Sequence, residues 1–259
     1  MPRAAVLAVI AFALGGLPSS AGATPTVALK AALTPKRLGG TTTIKFALAI
    51  SYASSETPAP LTAIDLRYPA HLGIATSGLG LSTCQATTLQ AQGPPGCPTN
   101  SLMGYGSGLV MVPFGPQLVY EPVRLTTFMA PLQDGNLALL FDAIGEAPVA
   151  AELIFRGLVL PAHKPFGGDL AATIPLVPTW PDASDAVLSR LETTLGPQHI
   201  TYWEYSKGQR IPYRPQGIRL PHKCPHGGFR FAATLRFNTG SQASAQTAAP
   251  CPHRTTHPG

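Results

Sequence analysis

The sequence contains few charged residues and, beyond its N-terminus, no long apolar run. Charged residues make up 12% of the 259 residues, whereas Ala, Val, Ile, Leu, Met, Phe, Trp, Tyr and Cys together make up 45%. This balance excludes an intrinsically disordered chain, which combines high charge with little apolar material. Because no later segment approaches about 18 uninterrupted apolar residues, the sequence predicts no transmembrane helix in the mature chain.

The sequence also lacks the standard motifs of several enzyme classes. It has no P-loop, no G-x-G-x-x-G, no H-E-x-x-H and no EF-hand loop. The segment GYGSG at 104–108 does not satisfy G-x-S-x-G, because its serine is not central, and we interpret it as a glycine-rich bend entering a strand. The twelve acidic residues are scattered. The alternative hypothesis is an extracellular, polysaccharide-type hydrolase whose carboxylate site is assembled from such distant residues. No cofactor is predicted.

The N-terminus has the pattern of a secretory signal peptide. Arg3 supplies positive charge, residues 4–17 form an apolar run, and Ala-Gly-Ala at 21–23 is a small-residue cleavage site. The apolar run is shorter than the roughly 20 residues that span a bilayer. We therefore predict a secreted or otherwise extracytoplasmic protein, with a signal peptide at 1–23, a mature domain at 24–252 and a disordered tail at 253–259.

Glycine and proline are abundant, and the patterns between them are those of strands. The chain has 26 Gly and 28 Pro, a share that favours many turns over long helices. Several segments alternate apolar and polar residues, which is the period of a strand with one buried face. The inward positions predicted in this way are Ile44, Phe46, Leu48, Ile50 and Tyr52; Ile64, Leu66 and Tyr68; and Phe229, Phe231, Ala233, Leu235 and Phe237.

These strands predict an all-β fold, an antiparallel β-sandwich of one large domain or two lobes. The segments NLALLFDAI and AELIFRGLVL are apolar on both faces, as central strands are. Segment 182–196 fits a helix as well as a strand, and the β-branched Thr193 and Thr194 favour the strand. If there are two lobes, the proline-rich stretch near 175–186 is their predicted boundary.

The chain has four cysteines, Cys84, Cys97, Cys224 and Cys251. An even number in an exported chain favours disulfides, and four cysteines allow three pairings. Proximity favours Cys84–Cys97 and Cys224–Cys251. The second pair would clamp the open end of a hairpin, and the first would close a surface loop that is too polar and glycine-rich to order itself by burial.

A histidine-based metal site is the alternative for the C-terminal cysteines. The two cysteines and the histidines around them supply enough ligands for tetrahedral zinc. The spacing is not that of a standard zinc motif, however, and a disulfide would remove both thiolates. We therefore predict the disulfide and no metal site. The histidines concerned are His222, His226, His253 and His257.

Basic residues dominate the C-terminal part of the chain. From Tyr205 onward there are eight basic and no acidic residues. One interpretation is a cationic surface for an anionic envelope polymer or lipid headgroups, and the other is a set of solvated outward positions on strands. Nucleic acid is not a predicted partner, because no known binding module is present. The predicted surface consists of Lys207, Arg210, Arg214, Arg219, Lys223, Arg230 and Arg236.

Three runs resemble a family of uncharacterised secreted, β-rich proteins with Cys-Pro motifs from high-GC bacteria. They are CPTNSLMGYGSGLVMVPFGP, PFGGDLAATIPLVP and CPHGGFRFAATLRF followed by PCP, within residues 80–252. The resemblance implies an exported β protein with paired cysteines and implies no activity. Together these observations predict a non-enzymatic exported protein that associates with the cell envelope through its basic C-terminal surface.

Overall fold

The computed structural model describes residues 24–53, 58–74, 82–114, 117–180, 183–196, 199–215 and 217–252. Within these residues the chain forms fifteen strands, one α-helix and two short 3-10 turns at Pro94–Gly96 and Thr99–Ser101. The predicted signal peptide and the predicted tail from 253 lie outside the described residues. The elements are β1 (Thr26–Thr34), β2 (Thr41–Ser51), β3 (Leu61–Pro69), β4 (Gly73–Ile74), α1 (Ala86–Gln92), β5 (Leu102–Phe114), β6 (Gln117–Gln133), β7 (Asn136–Gly145), β8 (Glu152–Pro161), β9 (Phe166–Thr173), β10 (Val187–Leu195), β11 (Tyr202–Ser206), β12 (Gln209–Tyr213), β13 (Ile218–Arg219), β14 (Phe229–Phe237) and β15 (Gln242–Ala249).

Thirteen of the described strands form one antiparallel sheet that is nearly closed. Its order is β15-β14-β3-β9-β8-β7-β6-β5-β10-β2-β13-β4, with β1 paired to β2, and β11 and β12 form a separate hairpin. Strands β1 and β15 lie side by side, so the two ends of the sheet approach each other. The all-β, antiparallel, disulfide-stapled prediction is confirmed. The two facing layers expected of a sandwich are opposite walls of this one curled sheet.

Alternation along the strands decides which side chains point inside. In β2, Ile44, Phe46, Leu48 and Ile50 are all buried, as predicted from the period of two. In β14 the five predicted inward residues are at most 2% exposed, while Arg230 and Arg236 face solvent. Strand β10 confirms that segment 182–196 supplies a strand rather than a helix.

A small cover lies on the outer face of the sheet. Leu89 of α1 and the disulfide Cys84–Cys97 pack with Phe128 and Leu140 in a second apolar cluster. Strand β7 therefore buries both faces, as its apolar sequence predicted. The expectation of an unburied polar loop between Cys84 and Cys97 is wrong, because α1 presents a fully buried Leu89 to the sheet.

The second disulfide joins Cys224 to Cys251, with a Cα–Cα distance of 6.0 Å. It lies just beyond the open end of the hairpin β14–β15, where Phe229 pairs with Ala249. Both predicted pairings are therefore present. Strands on both sides of the proline-rich stretch near 175–186 belong to the same sheet.

Candidate ligand-binding site

The curled sheet encloses an apolar cavity of about 180 Å³. Its walls come from the inward residues of β5 to β10, with contributions from β2 and β3 and from the segments that follow β7 and β9. Typical wall residues are Val110, Val123, Leu153 and Leu188. Apolar cavities of about 150 Å³ in proteins stay dry and hold benzene. The interior therefore has room for an apolar ligand of at least that size.

Small residues at inward positions create this space. Gly108, Ala143, Ala172 and Ala186 all line the cavity. Towards β14 the inward residues are large and close the interior: Phe231 of β14 contacts Phe46 of β2, which borders the cavity, edge to face at 5.4 Å. Protein interiors are normally closely packed, so the cavity is due to the small size of the inward glycine and alanine residues and not to a change in the alternating pattern.

A second apolar cavity of about 60 Å³ lies next to the first. Phe46, Leu66, Leu170 and Leu195 line both, so the two spaces share part of their walls. The smaller cavity extends towards Leu72 and the short strands β4 and β13. By scaling from benzene, the two volumes hold roughly ten carbon atoms in total.

The larger cavity contains a buried carboxylate. Glu121 of β6 is 1% exposed and lines the cavity among apolar side chains. Its Oε2 accepts a hydrogen bond from the backbone N–H of Val149 at 3.1 Å. Its Oε1 has no hydrogen-bond partner among the described residues. A Cβ atom at Gly145 would overlap Oε1, so the glycine makes room for the carboxylate. A buried polar atom without a partner is rare and costs about 1–3 kcal/mol.

Three exposed apolar side chains lie on segments that border the cavity. Leu176 borders the cavity and is also 42% exposed, so the cavity reaches the surface beside it. Phe114 follows Val112 in β5, and Trp180 follows Val177, and both of these valines line the cavity. Phe114 and Trp180 contact each other edge to face at 5.6 Å, and both are exposed. We call Leu176, Phe114 and Trp180 the apolar rim.

The seven predicted basic surface residues are all exposed. They lie on several elements: Lys207 and Arg210 on the hairpin β11–β12, Arg219 on β13, and Arg230 and Arg236 on the outer face of β14. Arg236 is engaged in an ion pair with Asp65. The other two positions, Arg214 and Lys223, lie in the connecting segments after β12 and β13.

The hairpin β11–β12 is anchored at its base and exposed at its tip. Tyr202 is fully buried and donates a hydrogen bond to the carbonyl of Leu102. Asn100 exchanges two hydrogen bonds with the backbone of Trp203. The guanidinium of Arg210 lies 4.2 Å over the Trp203 ring, in cation–π geometry. Tyr205 is 80% exposed.

The carboxyl groups of the described residues do not form a pair inside the cavity. Glu121 is the only acidic residue that lines either of these two cavities in the described part of the chain. Asp142 of β7 is buried near Glu152, on the outer face of the sheet. Burial, followed by the negative charge of Glu152, raises the pKa of Asp142 to about 6, although Arg124 lowers it. Among the described residues, the two cavities therefore contain no pair of carboxyl groups of the kind that the hydrolase hypothesis requires.

The described residues contain no group of three or more metal-ligating side chains. Cys224 and Cys251 are joined as a disulfide, and His253 and His257 lie outside the described residues. None of the helices in the described segments has the length and apolarity that a bilayer-spanning element needs. The two disulfides are compatible with an extracellular protein.

The cavity and the burial of Glu121 were not predicted from the sequence. A signal was present, because Val119, Glu121, Val123 and Leu125 share one strand parity. Glu121 therefore stands in a row of inward apolar residues. Comparison with protein-family models, with curated proteins and with solved structures gave no match for the chain. The resemblance to secreted Cys-Pro proteins stays a prediction.

Proposed function

We propose that the protein is a non-enzymatic binding protein that holds an apolar ligand, such as a lipid chain, inside its curled sheet. The observation that carries this proposal is the cavity of about 180 Å³ with almost wholly apolar walls. Ligand sites are typically concave and apolar with a few polar groups, which is the arrangement here. The ligand gains free energy by leaving water, about 0.8 kcal/mol for each buried CH₂ group.

The apolar rim supports a route for such a ligand. Leu176 connects the cavity wall to the surface, and Phe114 and Trp180 stand exposed beside it. Clustered exposed apolar side chains mark surfaces that contact apolar partners. Entry past the rim would shield the ligand from water before it reaches the cavity.

A cavity-filling variant tests this function. We expect naphthalene, which has ten carbon atoms and no polar head, to bind the wild-type protein in a calorimetric titration, with a negative heat-capacity change. Ala143→Phe places a ring in the cavity and should abolish binding. Ala49 is exposed on the outer face of β2, so Ala49→Phe is the matched control and should bind as the wild type does. Equal binding by both variants, or no binding by the wild type, would refute the proposal.

The hairpin β11–β12 supports a second candidate function, contact with an anionic envelope polymer or lipid headgroups. Lys207 at its turn and Arg210 stacked on Trp203 combine positive charge with exposed aromatic surface. Such contacts weaken as salt screens the charges, over a Debye length of about 10 Å at 0.1 M ionic strength.

Sedimentation with vesicles tests this second candidate. The protein should bind vesicles that contain phosphatidylglycerol better than vesicles of phosphatidylcholine alone, and less well at physiological than at low salt. The double variant Lys207→Glu, Arg210→Glu should lose this binding. The control Lys30→Glu, Arg190→Glu reverses two exposed charges elsewhere and should retain it. Binding that is insensitive to salt would exclude the candidate.

A further inference from the structure

Glu121 gives the cavity a chemical preference that its apolar walls lack. One carboxylate oxygen is satisfied by the Val149 N–H, and the other has no partner among the described residues. The side chain is 1% exposed, so bulk water does not compensate for the missing partner. Gly145 leaves the space in which this oxygen stands.

Glu121 lies towards one end of the cavity system. It pairs with Val110 across β5 and β6, and Val149 and Ala151 of the segment between β7 and β8 lie around it. The rim residue Leu176 lines the same cavity. The smaller cavity, whose lining extends to Leu72 and Ile218, does not include Glu121. A chain bound with its head at Glu121 has its tail directed along walls that are apolar apart from Thr193.

We propose that the cavity selects an amphiphile whose head donates a hydrogen bond, a hydroxyl or an ammonium group, and that this head binds Oε1 of Glu121. This inference rests on the proposed function, because it assigns the polar end of the same ligand. A donor head supplies the partner that Oε1 lacks. A carboxylate head and an ether both bring acceptors without a donor, so both leave Oε1 unsatisfied.

Competition against naphthalene tests the preference with ligands of equal size. 1-Octanol and 1-methoxyheptane have the same number of heavy atoms, but only the alcohol donates a hydrogen bond. We expect 1-octanol to bind the wild-type protein about ten-fold more tightly than the ether, roughly the effect of one additional hydrogen bond. Octylamine should also bind more tightly than the ether, and octanoate more weakly.

Variants at Glu121 separate this inference from the proposed function. In Glu121→Leu the ratio of alcohol to ether affinity should fall to about one, and in Glu121→Gln it should fall part of the way. Glu192→Gln removes a carboxylate on the outer face of β10 and should leave the ratio at its wild-type value. Equal binding of alcohol and ether by the wild type, or an unchanged ratio in Glu121→Leu, would overturn the inference while apolar binding persists. Failure of naphthalene and all four ligands to bind would instead overturn the proposed function.

Discussion

The two sides of the interior are built from the same alternating pattern and are filled differently. On the packed side, formed by the inward residues of β14, Phe231 meets Phe46 and Phe237 meets Tyr52 edge to face. On the cavity side, formed by the inward residues of β5 to β10, glycine and alanine stand at several positions and leave about 180 Å³. The pattern therefore decides which face is inside, and residue size decides whether the walls meet.

The largest expected difference between the two sides comes from removing a ring. Phe231 is fully buried on the packed side, so Phe231→Ala should lower the free energy of unfolding by about 3–5 kcal/mol. Phe155 is only partly buried and borders the cavity. Phe155→Ala should therefore cost about half as much. Chemical denaturation of both variants measures this, and equal losses would contradict the comparison.

The disulfides give the next largest effect. Cys224–Cys251 clamps the packed side and closes 27 residues, whereas Cys84–Cys97 fixes the cover over the other side and closes 13. Replacing each pair with alanine should lower the free energy of unfolding by about 3.6 and about 3 kcal/mol, respectively. Loss of the Cys84 pair should also expose residues 85–96 to proteases. A denaturation midpoint unchanged by either replacement would contradict the prediction.

The pH dependence of the free energy of unfolding tests the role of Asp142, which lies on the outer face of β7. The pKa of Asp142 is raised to about 6 in the folded state and is about 3.9 in the unfolded chain. As pH rises from 4 to 6, the unfolded state releases this proton before the folded state does, so the free energy of unfolding falls. The decrease is at most about 3 kcal/mol and is complete above the pKa of the folded state.

Asp142→Asn isolates this contribution. The variant should be more stable than the wild type above about pH 6, and the difference should vanish below about pH 4. Denaturation curves across this range measure it. Asp134 lies exposed in the turn between β6 and β7, and Asp134→Asn, the control, should follow the wild-type profile. A variant that tracks the wild type at every pH would show that Asp142 does not titrate this way.

The smallest effect comes from enlarging one alanine on each side. Ala233 is fully buried on the packed side, so Ala233→Leu should cost about 1–3 kcal/mol through overpacking. Ala143→Leu has free space in front of it and should change the free energy of unfolding by less than about 1 kcal/mol. Thermal denaturation compares the two. Similar losses would mean that the cavity side has no room to fill.

The packed side was largely predictable from sequence, and the cavity side was not. Strand β14 alternates apolar and polar residues except at Ala232, so its inward face followed from the period alone. Glu121, by contrast, lies between Tyr120 and Pro122 in a strand with a mixed pattern. Its burial depends on which strands flank β6, and that pairing is a property of the whole sheet rather than of any local segment.

The same limit explains the other differences. The pairing of Cys84 with Cys97 followed from their proximity, but the burial of Leu89 needed the outer face of β6 and β7 to be present. The strands β1 and β15, more than 200 residues apart, lie side by side. The alternation of residues predicts which face of each strand is buried, but it does not predict which strands lie beside it. The size of the enclosed cavity depends on those neighbours and therefore could not be predicted.

Because β1 and β15 lie side by side, the sheet can close only after the last described strand is present. A chain delivered from its N-terminus exposes β1 long before β15 exists, so the curl stays incomplete until the C-terminal hairpin arrives. Contacts between such distant segments are slow to form. Throughout that interval the apolar residues that line the cavity lack the closed sheet that shields them from water.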